Sequence, residues 1–121
     1  MAKQPTACTD AQIAEALLKL PDWYHADGAI RRAYDTDGWP TTLMLVNAIG
    51  FAAEAADHHP DLTVTWGRVE VALSTHSARG ITEKDFELAR KFDDVALWRP
   101  PAGSTLAGTS SKWIRAGSRR E

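Results

Sequence analysis

The first apolar rhythm of the chain has a helical period. Ile13, Ala16, Leu17 and Leu20 recur at i, i+3, i+4 and i+7, which gathers them on one face of a helix. Thr9 and Gln12 have the spacing of a capping box, Cys8 and Ile13 that of a hydrophobic staple, and Pro21 stops the element. The period then shortens. Trp23 to Ala26 and Ala29 to Tyr34 flank Asp27-Gly28, a dipeptide that tolerates the positive φ angles of a tight type I′ turn, so a β-hairpin is expected. After the turn residues Asp37, Gly38 and Pro40 the run TTLMLVNAIGFAAEAAD is almost wholly apolar, with good helix formers toward its end. It predicts a second helix buried on more than one side.

From Thr63 to Thr75 the pattern alternates. Val69, Val71 and Leu73 fall on one face and Arg68, Glu70, Ala72 and Ser74 on the other, which predicts one long strand with a wet face and a bulge at Gly67. A third helix opens at Thr82, where Asp85 completes a capping box and Ile81 and Phe86 can staple it, and continues through Leu88, Ala89, Phe92 and Val95. The order helix, hairpin, helix, long strand, helix predicts an α+β fold, an antiparallel β-sheet with the helices packed on one face.

Composition narrows the class. At 121 residues, 44% hydrophobic and 25% charged, the chain is one ordinary globular domain's worth. No apolar run is long enough for a membrane span, and MAKQPTACTDAQ lacks the regions of a signal peptide, so no membrane association and a cytoplasmic location are expected. The single Cys8 excludes an internal disulfide. A net charge of −2 argues against general nucleic-acid binding. The charge is uneven, because residues 99–121 hold five basic residues and one acid in a stretch rich in Pro, Gly and Ser. The expected organisation is therefore a single domain over 1–98 and a basic tail over 99–121, extended or mobile, with Trp113 and Ile114 available to pin it.

Two of the four histidines stand together in EAADHHPDLTVTW. On a continuous helix Glu54 and His58 share a face and His59 turns about 100° away. His76 ends the long strand. If strand and helix ends meet, imidazoles and a carboxylate converge at a cleft, an arrangement suited to proton transfer. Taken singly, His58 or His59 is also a favourable dipole partner at a helix C-terminus. A metal site is not expected: adjacent histidines diverge, and no HExxH spacing is present. Ser74, Thr75 and Ser77 flank His76 only in sequence, a weak basis for a nucleophile.

Glu54-x-x-x-His58-His59-Pro60, then Trp66 after five residues, His76 after nine and Asp85 after eight, resembles the signature of the pterin-4a-carbinolamine dehydratases. The flanks LPDW, LSTH and GITEKDFELA extend the resemblance over about residues 10–97; the basic tail is absent from short members. The resemblance implies dehydration of 4a-hydroxytetrahydropterin to quinonoid dihydropterin, with no cofactor. It implies catalytic His58, His59 and His76 supported by Glu54, and a pterin bordered by those histidines, Pro60, Thr75, Ser77 and Ala78. Trp66 is then a pocket wall or core residue and Asp85 a helix cap. It further implies a homo-oligomer, dimer or tetramer, and a functional link to an aromatic amino-acid hydroxylase. Relatives of this fold that act as transcription-factor dimerisation partners or Rubisco assembly factors supply the alternative, a non-catalytic role.

Overall fold

A computed structural model describes residues 5–106, 114 and 115. The elements are α1 (Asp10–Leu17), β1 (Tyr24–Ala26), β2 (Ala29–Asp35), α2 (Trp39–Ala56), β3 (Asp61–Thr65), β4 (Arg68–Leu73), a 3-10 turn (His76–Ala78) and α3 (Glu83–Leu97). Reciprocal bonds between Thr9 and Gln12 start α1, at 2.8 and 3.2 Å; such a cap contributes about 1 kcal/mol. Asp27 and Gly28 take positive φ values of 50° and 75° and close the β1–β2 hairpin, as the Asp-Gly dipeptide predicts.

All strand pairs are antiparallel, in the order β1-β2-β4-β3. On the inner face Ile30, Arg32 and Tyr34 lie opposite Leu73, Val71 and Val69. Leu45, Ile49 and Ala53 of α2 and Phe86, Ala89 and Phe92 of α3 complete the buried cluster. The fold is α+β, a four-stranded antiparallel sheet with helices over its apolar face.

Three expectations require correction. Thr63 to Thr75 is not one bulged strand: β3 and β4 fold back through Trp66-Gly67, with Thr65 opposite Arg68. Neither turn residue has positive φ, so the turn carries no Asn-Gly-like signal, and β-branched residues on both arms make the run look continuous. Second, α2 buries one side only. Thr41, Thr42, Leu45, Ile49 and Ala53 face inward, while Trp39, Leu43, Met44 and Phe51 are exposed, Phe51 at 78%. A single chain supplies the sheet and α3 to cover this helix, and no further layer among the described residues. Third, Val95 of α3 is exposed, and Ala96 takes the inward position.

The core also holds a charge. Arg32 is 1% exposed and donates to Asp93 at 3.0 Å, with Asp22 at 3.5 Å. Asp93 also accepts from the Tyr34 hydroxyl and from Trp23 Nε1. Burial first, and then Asp93, hold the Tyr34 hydroxyl far above its ordinary titration range.

The described part of the C-terminal stretch returns to the body. Ile114 bridges to Thr36, the Arg115 N–H donates to the Asp35 carbonyl at 2.9 Å, and Arg99 donates to the Ile114 carbonyl at 2.8 Å. Ile114 is the pin that the sequence offers. Trp113 lies outside the described residues.

Candidate active site

The end of α2 determines where the two adjacent histidines go. Helix geometry stops at Ala56, and Asp57 adopts a left-handed conformation with φ 49° while its N–H returns to Ala53 and Glu54. The His58 N–H then donates to the Ala53 carbonyl at 3.1 Å, closing the helix end in the manner of a Schellman turn. This one residue breaks the helical phase. Glu54 therefore pairs with His59, at 2.9 Å, and not with His58, as an unbroken helix would have it. The His59 and Glu54 side chains are 56% and 82% exposed.

His58 turns inward. Its Nε2 lies 2.6 Å from Asp85 Oδ1, and the two side chains are 10% and 0% exposed. Asp85 is the third residue of α3, and its Oδ2 accepts from the Thr82 N–H at 2.9 Å and from the Thr75 hydroxyl at 2.8 Å. Because Thr75 donates to Asp85, its oxygen is left to accept from the Thr82 hydroxyl, 2.8 Å away. A buried carboxylate is costly unless hydrogen bonds compensate it, and Asp85 has three donors as well as the N-terminal end of a helix. An ionised carboxylate only accepts, so the His58 proton on this side sits on Nε2 and, in the neutral ring, Nδ1 carries the free lone pair. The same argument fixes His59.

His76 opens the 3-10 turn, is exposed, and is followed by exposed Ser77 and half-buried Ala78. Reciprocal bonds between Thr75 and Gly80, at 2.8 and 3.3 Å, close the loop behind it. The Asp85 network thus couples the exit of α2, the entry of α3 and the residue preceding His76. Among the described residues no hydrogen bond or ion pair joins His76 itself to His58 or His59. His76 borders a cleft of ≈330 Å³ with Gly28, Ser74, Thr75 and Arg79. His58 borders a groove of ≈540 Å³ between α2 and α3, together with Ala52, Leu88 and Lys84. Pro60 is half-buried and leads into β3.

Two features of this region escape the sequence reading. Asp85 is a cap, as expected, but its second oxygen holds His58; the signal was available in its place within the histidine spacing. Arg79, on a left-handed backbone with φ 55°, lines the His76 cleft, which no motif announces. Trp66 is neither core nor a wall beside its own chain's histidines. It is 68% exposed at the β3–β4 turn, where a Cβ on Gly38 would stand 3.1 Å from its ring, and its carbonyl accepts from Thr42 at 2.9 Å. Thr42 lies in the first turn of α2 and His58 beyond its last, a separation of about 24 Å at 1.5 Å per residue. Alternation over the run 61–65 does not bring the turn back.

Among the described residues no group of three or more His, Cys, Asp or Glu is placed to hold a metal ion. Burial, and then the negative charges of Glu83 and Asp85, raise the Cys8 thiol above its ordinary range, the opposite of activation. No helix of the described residues is long and apolar enough to cross a membrane.

The family model for pterin 4 alpha carbinolamine dehydratase matches residues 6–95. A Nocardia farcinica protein, provisionally named a pterin-4-alpha-carbinolamine dehydratase, is 44% identical over 88 residues, covering 73% of this chain and 93% of its own. A Chloroflexus aurantiacus protein of the same provisional name is 42% identical over 87 residues, 72% of this chain and 94% of its own. A Brucella melitensis crystal structure, described as a transcriptional coactivator/pterin dehydratase, superimposes with a TM-score of 0.72 at 34% identity, covering 75% of this chain and 99% of that one. With the helices, sheet and histidine geometry already in place, these likenesses show that the chain belongs to the pterin-4-alpha-carbinolamine dehydratase family.

Proposed function

We propose that the protein is a 4a-hydroxytetrahydropterin dehydratase that works by histidine acid–base catalysis. The observation that carries the reading is the His58–Asp85 pair, a fixed imidazole set by a buried carboxylate where α2, α3 and the His76 turn converge. In the reaction the C4a–O bond breaks as the departing hydroxyl gains a proton and leaves as water. The proton on N5 passes to a base, and its electron pair becomes the C4a=N5 double bond. One group must give a proton and another take one. His58, His59 and His76 are the proposed donors and acceptors, with Glu54 orienting His59 and Asp85 orienting His58. Pro60, Thr75, Ser77 and Ala78 border the pterin, Thr75 with its hydroxyl already committed to Asp85. The protein supplies this chemistry with no cofactor.

The exposed α2 face of Leu43, Met44 and Phe51 supports a homo-oligomer, dimer or tetramer, since monomers seldom leave such contiguous apolar surface in water. The same face favours a second reading, docking of another protein, in keeping with the coactivator description of the Brucella relative. A cytoplasmic location and service to an aromatic amino-acid hydroxylase belong to the dehydratase reading. The test is the decay of freshly generated 4a-hydroxytetrahydropterin with wild type and with His76→Ala. Acceleration that the variant loses supports the reading; no acceleration over the spontaneous reaction overturns it.

A further inference from the structure

Thr75 is a hydroxyl where the pattern calls for a hydrocarbon. Val69, Val71 and Leu73 mark the inward positions of β4, and Thr75 is the next in that alternation, 3% exposed. Valine would fill nearly the same space, and a buried hydroxyl costs free energy unless it is bonded. Its bonds therefore give the reason for its presence.

The hydroxyl stands in a chain of one polarity. Thr82 Oγ1 accepts from the Lys84 N–H at 3.2 Å, and its own proton points to Thr75 Oγ1. Thr75 in turn donates to Asp85 Oδ2 at 2.8 Å, and Asp85 Oδ1 faces His58 Nε2. Bonds aligned in this way polarise one another. The other donor to Oδ2, the Thr82 N–H at 2.9 Å, belongs to the same helix entry as Asp85 itself. A cap of that kind alone leaves the terminal torsion of the carboxylate soft. Thr75 reaches the carboxylate from the sheet, so the orientation in which Asp85 meets His58 is tied to the strand end that carries His76.

The backbone of Thr75 supplies the second tie. Its N–H donates to the Gly80 carbonyl at 2.8 Å, and its carbonyl accepts from the N–H groups of Gly80 and Ala78 at 3.3 and 3.1 Å. These bonds close the turn that opens at His76. His76 is exposed, so its position follows from this backbone.

We propose that Thr75 is a positioning residue for the proton transfers: its hydroxyl holds the His58 ring through Asp85, and its backbone holds the turn that presents His76. One residue then sets two of the three histidines relative to each other. The inference rests on the reading of those histidines as the proton donors and acceptors.

Two pairs of chains isolate the hydroxyl, wild type against Thr75→Val and Thr75→Ser against Thr75→Ala. Should Thr75→Val not fold, the second pair carries the test. The first readout needs no substrate. In nitrogen-edited proton spectra of the full-length protein, His58 is expected as the Nε2–H tautomer with a sharp ring-proton signal in the wild type and in Thr75→Ser. That signal is expected to shift or broaden in Thr75→Val and Thr75→Ala, with the His25 and His59 rings as unchanged references. A His58 spectrum indifferent to the hydroxyl overturns the positioning.

The second readout is turnover. Loss of the hydroxyl is expected to lower kcat roughly tenfold or more, with KM changed by less than about twofold, and Thr75→Ser to exceed Thr75→Ala by most of that factor. A rise in KM at constant kcat, or serine no better than alanine, overturns the proposal. If the wild type does not accelerate dehydration, the proposed function fails, and the ring spectra still decide whether Thr75 holds His58.

Discussion

His58 and His59 are neighbours in the chain and strangers in the fold. One is nearly buried against a fully buried Asp85; the other stands in solvent beside Glu54. Each contacts a carboxylate through Nε2, at 2.6 and 2.9 Å, so bond chemistry does not distinguish them. Surroundings do. The inner pair sits where water cannot replace a lost partner, and the outer pair is continually offered one. Identical dipeptide members can thus share a reaction while contributing very differently to stability.

The largest expected effect comes from removing the inner carboxylate. Asp85→Ala strands the Thr75 and Thr82 donors and releases His58, and loss of one partner from a buried charged network costs about 3 kcal/mol or more. Chemical denaturation should show it, with turnover falling as well; a variant as stable as wild type would break the comparison. Next come the histidines themselves. His58→Gln should lower turnover by roughly 10² and stability by about 1–3 kcal/mol through the unpaired Asp85, whereas His59→Gln should lower turnover while changing stability by less than about 0.5 kcal/mol. Paired unfolding curves and initial rates separate the two.

Asp93 provides a control, a second carboxylate that gathers donors but has no histidine. Tyr34→Phe removes one of them and should cost about 1 kcal/mol at neutral pH without affecting turnover. Since the folded hydroxyl titrates far above the unfolded value of 10.0, Tyr34 contributes stability that is complete below pH 10 and declines as pH rises above it. The wild type should therefore lose stability above pH 10 more steeply than Tyr34→Phe in denaturant titrations across that range. The smallest effect is expected from Glu54→Gln. The pair it breaks is exposed, so stability should shift by less than about 0.5 kcal/mol, and any larger change in melting would mean that His59 is held more firmly than its surroundings suggest.

Capping chemistry, the Asp-Gly turn and the inward stripe of α3 as far as Phe92 were legible because each depends on residues within one turn of one another. Thr9 with Gln12 and Thr82 with Asp85 form the bonds their spacing predicts. The hairpin at Trp66-Gly67 was not legible, because its backbone needs no residue with unusual φ preference. The solvent face of α2 was hidden for another reason: apolarity marks a surface to be covered without saying whether the cover lies in the same chain. At the site, the histidine spacing identified a constellation, yet pairing Glu54 with His58 assumed that the helix ran on. From the sequence His58 reads as a cleft residue or a dipole partner at the helix end. Its bond to Asp85 makes it part of the interior.

The left-handed corner at Asp57 makes the length of α2 as consequential as its composition. One residue inserted between Ile49 and Ala56 would rotate that corner by about 100° and advance it 1.5 Å, turning His58 away from Asp85 and presenting another side chain in its place. The outer face of α2 can exchange one side chain for another with the corner untouched. Drift in composition is thus open to this helix, while drift in length is closed, and the corner itself favours the few residues, Gly, Asn and Asp, that accept its backbone at low cost.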